Sequence, residues 1–181
     1  MRQKLYWRMV DGPSAWLRRI PVVILAVCGL LVSSYLTFFQ YGAIPAVWDP
    51  FFGHTGSQAV LTSALSRALP VHDAALGALA YLVEALLEVA GGTTRWRQRP
   101  WIVLLLGLTA AGMALVSLGL IGMQALVVRH FCTLCLASAA ISLTVPAFVV
   151  HEVGAAAGQL RRHHRQGAPW RLAVLGDARE G

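Results

Sequence analysis

The sequence predicts an all-α integral membrane protein, a four-helix transmembrane bundle with a short interfacial helix in one connecting loop. Three observations lead there. Of 181 residues, 57% are apolar and only 13% are charged, against roughly 25% charged in a typical soluble domain. Almost all of the charges lie outside four apolar stretches, each near the ~20 helical residues that cross a ~30 Å hydrocarbon core. The cations, finally, are divided unevenly between alternate connections. A net charge of +7 would suit nucleic acid. Here, however, the basic residues flank apolar segments, and no basic helix with interleaved aromatics is present. That is the pattern of membrane topology, and no nucleic-acid partner is expected.

The arm at residues 1–19 holds Arg2, Lys4, Arg8, Arg18 and Arg19. The first span, 20–39, follows without a charge. It exceeds the roughly 7–15-residue core of a cleaved signal. VSSYLTFFQYG also puts aromatics where a small-residue cleavage site would sit, so the span is expected to remain. Residues 40–70 form a loop. Pro45, Asp49-Pro50 and Gly53 favour turns, and GHTGSQ is polar. VLTSALSRAL can form a short helix lying in the interface. Trp48, Phe51 and Phe52 read as interfacial anchors.

The second span, 71–90, opens after Pro70 with Asp73 in its first turn, where an acid complements the helix dipole. The connector GGTTRWRQRP leads to the third span, 101–125. Glycines 107, 112, 119 and 122 there suit close helix packing. A short turn around 127–129 precedes the fourth span, 130–150. The tail, 151–181, is basic, contains glycine, and is expected to be flexible.

Of fifteen Lys and Arg, five lie in the arm, three in the connector and five in the tail; the 40–70 loop and the last turn have one each. Positive-inside then places both termini and the connector in the cytoplasm. The 40–70 loop and the start of the fourth span face outward.

Three cysteines exclude a secreted-type disulfide framework. Cys132 and Cys135, three positions apart, share a helix face and can close a disulfide. At the start of a helix, beside Arg129 and His130, a thiolate would be stabilised. The same pair also reads as ordinary buried cysteines, which behave as small hydrophobes. His130, Cys132 and Cys135 make three potential metal ligands where structural zinc takes four, so no metal is expected. Haem attachment is excluded by Leu136, where a histidine would be needed. Cys28, in the middle of the first span, reads as a core cysteine. His72, Asp73, Glu84 and Glu88 sit near span ends, where interfacial water lowers their cost. Tyr81, Ser117 and Gln124 can hydrogen-bond a ligand carbonyl, or bond between helices.

SSYLT at 33–37, then Val60, Ser63 and Ser66, Leu69-Pro70-Val71, LGALAY at 76–81 and FCTLC at 131–135 form an ordered set. Over residues 20–150 this set resembles the vitamin K epoxide reductase family of membrane thiol–quinone oxidoreductases. The resemblance implies that Cys135 reacts with a quinone of the ubiquinone or menaquinone type, held inside the bundle near Tyr81, Ser117, Gln124, Ser63 and Ser66. Cys132 would exchange with the thiols of a thioredoxin-like or other external dithiol protein. Membrane lipid is the other partner, and a bacterial cell membrane the expected location. Most members carry a second cysteine pair in the loop after the first span. Residues 40–70 here contain no cysteine, and Ser57 stands where the second loop cysteine would be. The family's internal relay is therefore missing. The alternative is a redox-inactive bundle that binds a quinone, lipid or partner protein.

Overall fold

A computed structural model describes residues 12–63, 66 and 71–165. Most of the basic arm, Leu69-Pro70 and residues 166–181 lie outside these, as does most of the second half of VLTSALSRAL. Among the described residues there is no strand. The helices are α1 (Trp16–Gln40), α2 (Gly53–Leu61), α3 (Asp73–Val89), α4 (Arg95–Gln98), α5 (Pro100–Met123) and α6 (Thr133–Arg165). A π-helical turn, Gln124–Val128, continues α5. Among the described residues, three stretches are long and apolar enough to cross a membrane: Trp16–Gln40, Pro100–Val128 and Thr133–His163. The 17-residue α3 is shorter, about 25 Å at 1.5 Å per residue.

α1 packs along α3 and α6, and α5 packs along the same two, so the four long helices touch in a closed ring. Their apolar residues face both ways. On α3, Tyr81, Glu84 and Glu88 are buried, while Leu76, Leu79, Leu82, Leu86 and Val89 are exposed. These outward residues recur every three or four positions and form one stripe. Leu17, Ile20, Ile24, Val27 and Leu31 do the same on α1. Polar groups inside and leucines outside reverse the pattern of a helix in water.

Two apolar clusters fill the interior. Val22, Leu106, Ala110, Val145 and Val149 form one. Leu36, Val47 and Leu61 form the other, with Tyr35, Phe39, Ala74, Leu134 and Cys135 packed against it. Along α6, Ser138 and Ser142 fall between them. Tyr81 reaches across to that layer, donating to the Ser138 carbonyl at 2.6 Å and pairing with the Ser142 hydroxyl at 2.7 Å. Its ring lies over Gly29 of α1, where an added Cβ would sit 2.4 Å from ring carbons. Because the phenol is pinned, Gly29→Ala is expected to destabilise the protein by about 1–3 kcal/mol through overpacking, measured as a lower denaturation midpoint in detergent.

At the end of the ring away from Cys132, Arg95 of α4 folds inward. It donates to both Glu152 oxygens at 2.6 and 2.8 Å, to Glu88 Oε2 at 2.6 Å, and to the Leu87 carbonyl at 2.7 Å. Arg19 donates to the carbonyls of Glu88, Ala90 and Gly91 and lies 4.2 Å above the Trp16 ring. Ser14 donates to Glu152 at 2.5 Å. Two guanidinium groups thus satisfy the orphan carbonyls at the α3 C-terminus, where cations are favourable.

Three expectations change here. Glu84 and Glu88 are each only 1% exposed, not bathed in interfacial water, because α4 turns back over the end of α3. Cys28 is exposed. The inward row of α1 is Val22, Ala26, Gly29, Ser33 and Leu36, and Cys28 is out of phase with it. Finally, α6 does not end at 150. It continues to Arg165, because Glu152 is anchored by Arg95 and Ser14, and the Ala155–Ala157 run favours helix.

Candidate functional site

The chain delivers the cysteine pair to the head of α6 by a sharp reversal. The π-helical turn ends at Arg129, which takes a left-handed conformation with φ 55°. The Cys132 carbonyl accepts the Leu136 N–H at 2.9 Å, so Cys132 is the N-cap of α6. Its sulfur accepts the Cys135 N–H at 3.2 Å, the position an oxygen occupies in an ordinary Ser or Asp cap. Gln124 accepts the Cys132 N–H at 3.0 Å, and Asp49 accepts the Thr133 N–H at 2.8 Å. The Cys132 sulfur therefore receives the Cys135 N–H at a helix start, a setting that favours a thiolate, while Gln124 and Asp49 take the two neighbouring N–H groups. The Cys135 thiol donates to Cys132 and is the main influence lowering its pKa. Burial and the nearby Asp49 charge oppose it, while the Ser57 hydroxyl and the Cys135 amide add to it. Both thiols are free. Cys132 is fully buried and Cys135 partly exposed.

Asp49 closes the site. Besides Thr133, it accepts the Phe51 and Phe52 N–H groups at 3.1 and 3.0 Å and the Ser57 hydroxyl at 2.5 Å. One carboxylate thus ties the start of α2 to the start of α6. Gly56 lies directly against the chain before Cys132, since a Cβ there would be 2.8 Å from the Phe131 carbonyl oxygen. The Phe52 and Phe131 rings are 5.5 Å apart. The segment GHTGSQ, read as a polar loop, is instead the first part of α2. Asp49 supplies the acceptors that let it begin.

Burial alone would push the Asp49 carboxyl up. The hydroxyls of Ser57 and Thr133 and the amides of Phe52 and Thr133 outweigh it and hold the group well below the usual carboxylate range. With the folded pKa depressed, this clasp contributes fully at neutral pH and is lost as pH falls toward that depressed value. Asp49→Asn removes the charge-assisted bonds. It is expected to raise the rate of Cys132 alkylation at pH 7 by about 10-fold, the equivalent of roughly 1.4 kcal/mol of lid closure. An unchanged alkylation rate would show that Asp49 does not hold the lid.

The other expected site residues are dispersed. Gln124 is buried beside the dithiol, holding the Cys132 amide. Ser63 and Ser66 belong to a second cluster. Ser66 donates to Asp73 at 2.7 Å, Gln40 donates to Ser66 and Asp73 at 2.7 and 2.6 Å, and the Ser66 amide donates to Ser63 at 3.4 Å. That cluster joins the ends of α1 and α3. Tyr81 lies one layer deeper than Cys135, and Ser117 is buried on α5. Asp49 and the lid role of Ser57 were missed by sequence reasoning. The available signal was Asp49-Pro50, since an acid followed by proline marks a helix start as well as a turn.

A family model, the vitamin K epoxide reductase family, matches residues 20–150. The match runs from the first helix through the dithiol. The chain belongs to the vitamin K epoxide reductase family. No curated protein matches it. With three helices long and apolar enough to span a bilayer, this member of the family is a membrane protein, and the family's activity is of the thiol–quinone oxidoreductase type.

Proposed function

We propose that the protein oxidises an external dithiol protein, such as a thioredoxin-like partner, and passes the electrons through Cys132 and Cys135 to a quinone, so that disulfide bonds form. The observation that carries this reading is the Cys132 sulfur standing as N-cap of α6 with the Cys135 amide donating to it. Thiolate character governs thiol–disulfide exchange, and this position stabilises a thiolate. Starting from a Cys132–Cys135 disulfide, a donor thiolate attacks the Cys132 sulfur, forming a mixed disulfide and releasing Cys135 as a thiolate. The donor's second thiol then attacks the mixed disulfide, closing the donor's disulfide and freeing Cys132. The reduced pair would give its two electrons and two protons to the quinone as the Cys132–Cys135 disulfide re-forms.

The surroundings of Cys135 suit an apolar acceptor. Leu36, Val47, Leu61, Tyr35, Phe39 and Ala74 form the cluster it packs against, an environment in which a quinone ring can be buried. A quinone of the ubiquinone or menaquinone type supplies two-electron acceptor chemistry when bound. Cys135 is the protein group facing it, and Tyr81, Ser117, Gln124, Ser63 and Ser66 are candidates for orienting it.

The outward leucine stripe of α3 supports reading α3 as a fourth span, with the arginines at its far end held in the protein interior. The division of the cations supports cytoplasmic termini and an outward-facing dithiol, and α2 then lies at the outer membrane surface. A bacterial cell membrane is the location proposed for the protein.

The missing loop cysteines favour a partner that reaches Cys132 directly, after the lid opens. Ser57 touches Cys132 closely enough to influence its thiol. Ser57→Cys is therefore expected to give a Cys132-linked disulfide under mild oxidation, read as a mass loss of about two hydrogens and loss of alkylation at both thiols. The buried Cys132 and Ser57 also suit the second reading, a redox-inactive bundle. Thiol trapping on native membranes separates the two. The pair should become reduced by a dithiol donor and re-oxidise only when quinone is present. Thiols indifferent to both would leave the binding bundle as the better account.

A further inference from the structure

Between the two apolar clusters runs a column of polar groups that the dithiol exchange does not use. Cys135, Ser138 and Ser142 recur at three- and four-residue intervals on one face of α6. Tyr81, Glu84 and Glu88 recur in the same way on the buried face of α3. Tyr81 joins the rows, with its phenol oxygen 2.7 Å from the Ser142 hydroxyl and 3.0 Å from the Ser138 hydroxyl. In each of these pairs either oxygen can donate. The three hydroxyls therefore form a chain able to pass a proton by reversing its bonds.

Glu84 stands one turn from Tyr81, on the side away from the dithiol. It is 1% exposed, and neither carboxyl oxygen has a hydrogen-bond partner among the described residues. Glu88, one turn further, is held by Arg95, so Glu84 is the free carboxyl of the row. The charged groups of the surrounding elements are Glu88 on its own helix, Arg19 on α1, Arg95 on α4 and Glu152 on α6. α5 turns the apolar Leu106 and Ala110 to the core. An unpaired buried carboxyl is costly to keep, a rare condition in native structures, and within a membrane bundle such groups mark proton routes.

We propose that Glu84 is a proton-relay residue, passing protons from the Arg95 end of the bundle through Ser142, Tyr81 and Ser138, in that order, toward the quinone that takes electrons from Cys135. This rests on the proposed thiol–quinone activity. Oxidation of the donor dithiol releases two electrons and two protons on the Cys132 side. Conversion of a quinone to its quinol consumes two electrons and two protons. The electrons pass through the cysteine pair, and Glu84 delivers the protons from the opposite side and is reprotonated from there. Each turnover would then separate charge across the bilayer.

The test uses the full chain in sealed vesicles, with a membrane-impermeant dithiol outside, a lipid-soluble quinone in the bilayer and a pH-sensitive dye inside. Only molecules with an outward dithiol turn over. The expected result is internal alkalinisation of about two protons per quinol. Glu84→Gln should slow quinone reduction by about 100-fold, within the usual range for a lost acid–base group, while Glu84→Asp restores part of the rate. Alkylation of Cys132 should be unchanged in both. Quinone-free wild type should also show a carboxylic-acid C=O infrared band that Glu84→Gln lacks. Quinol formation without internal pH change overturns the relay, as does a wild-type rate in Glu84→Gln or absence of that band. If wild type forms no quinol, the thiol–quinone reading fails first and the relay falls with it.

Discussion

Cys135→Ser is expected to lower dithiol-dependent quinone reduction by at least about 1,000-fold, a loss typical of a residue acting within a catalytic unit. It should also leave the donor protein covalently trapped on Cys132. The Cys132 thiolate, which cannot pair within the chain in this variant, attacks the disulfide form of the donor. Cys135, the neighbour whose amide contacts the Cys132 sulfur, is no longer present to expel the donor from the mixed disulfide. Cys132→Ser should abolish activity equally but trap nothing. Serine is itself a strong N-cap, so this variant keeps the α6 cap and is expected to fold. Non-reducing gels for the trapped species and a quinol assay for activity check both arms. Residual activity above a few per cent in either variant would remove the cysteine pair from the mechanism.

The second large effect is on stability. Arg95→Met is expected to destabilise the protein by about 3–5 kcal/mol, the usual cost of removing one partner from a buried ionic network. Glu88 and Glu152 would be left facing each other without their shared cation, and the α3 carbonyls would lose the donors that Arg95 supplies. Arg95→Lys should rescue little, because one ammonium cannot reproduce the two-sided fork that engages both carboxylates. Adding Glu152→Gln to Arg95→Met should recover part of the loss. Denaturation midpoints in detergent for the single and double variants decide the matter, and a single variant as stable as wild type would contradict the network's structural role.

The family, the three long apolar helices and the C-x-x-C at a helix start were legible in the sequence because they are local: hydropathy over a window, cation counts, and spacing within one turn. Long-range pairings were not. Arg95 looked like any positive-inside cation in GGTTRWRQRP, and nothing nearby announces that Glu152 will reach it. The same blindness placed Glu84 and Glu88 in water. Cys28 was misassigned for another reason. An apolar run facing lipid on one side and protein on the other gives little contrast by which to set the helix phase. At the dithiol, the sequence identified the reactive pair but not the Asp49 clasp that buries it. An acid followed by proline announces a turn and a helix start alike. That Asp49 would cap two helices at once depends on α2 docking against α6.

The most direct test of the central claim is a single-turnover titration. Full-length protein, purified, fully reduced and held without oxygen in lipid nanodiscs, is mixed with quinone. Quinol is then counted against Cys132–Cys135 disulfide by absorbance and mass spectrometry. The account predicts one quinol per disulfide formed, with none in Cys132→Ser or Cys135→Ser. Both thiols remaining free while quinone stays oxidised would contradict it, leaving a family member that has kept the fold without the electron transfer.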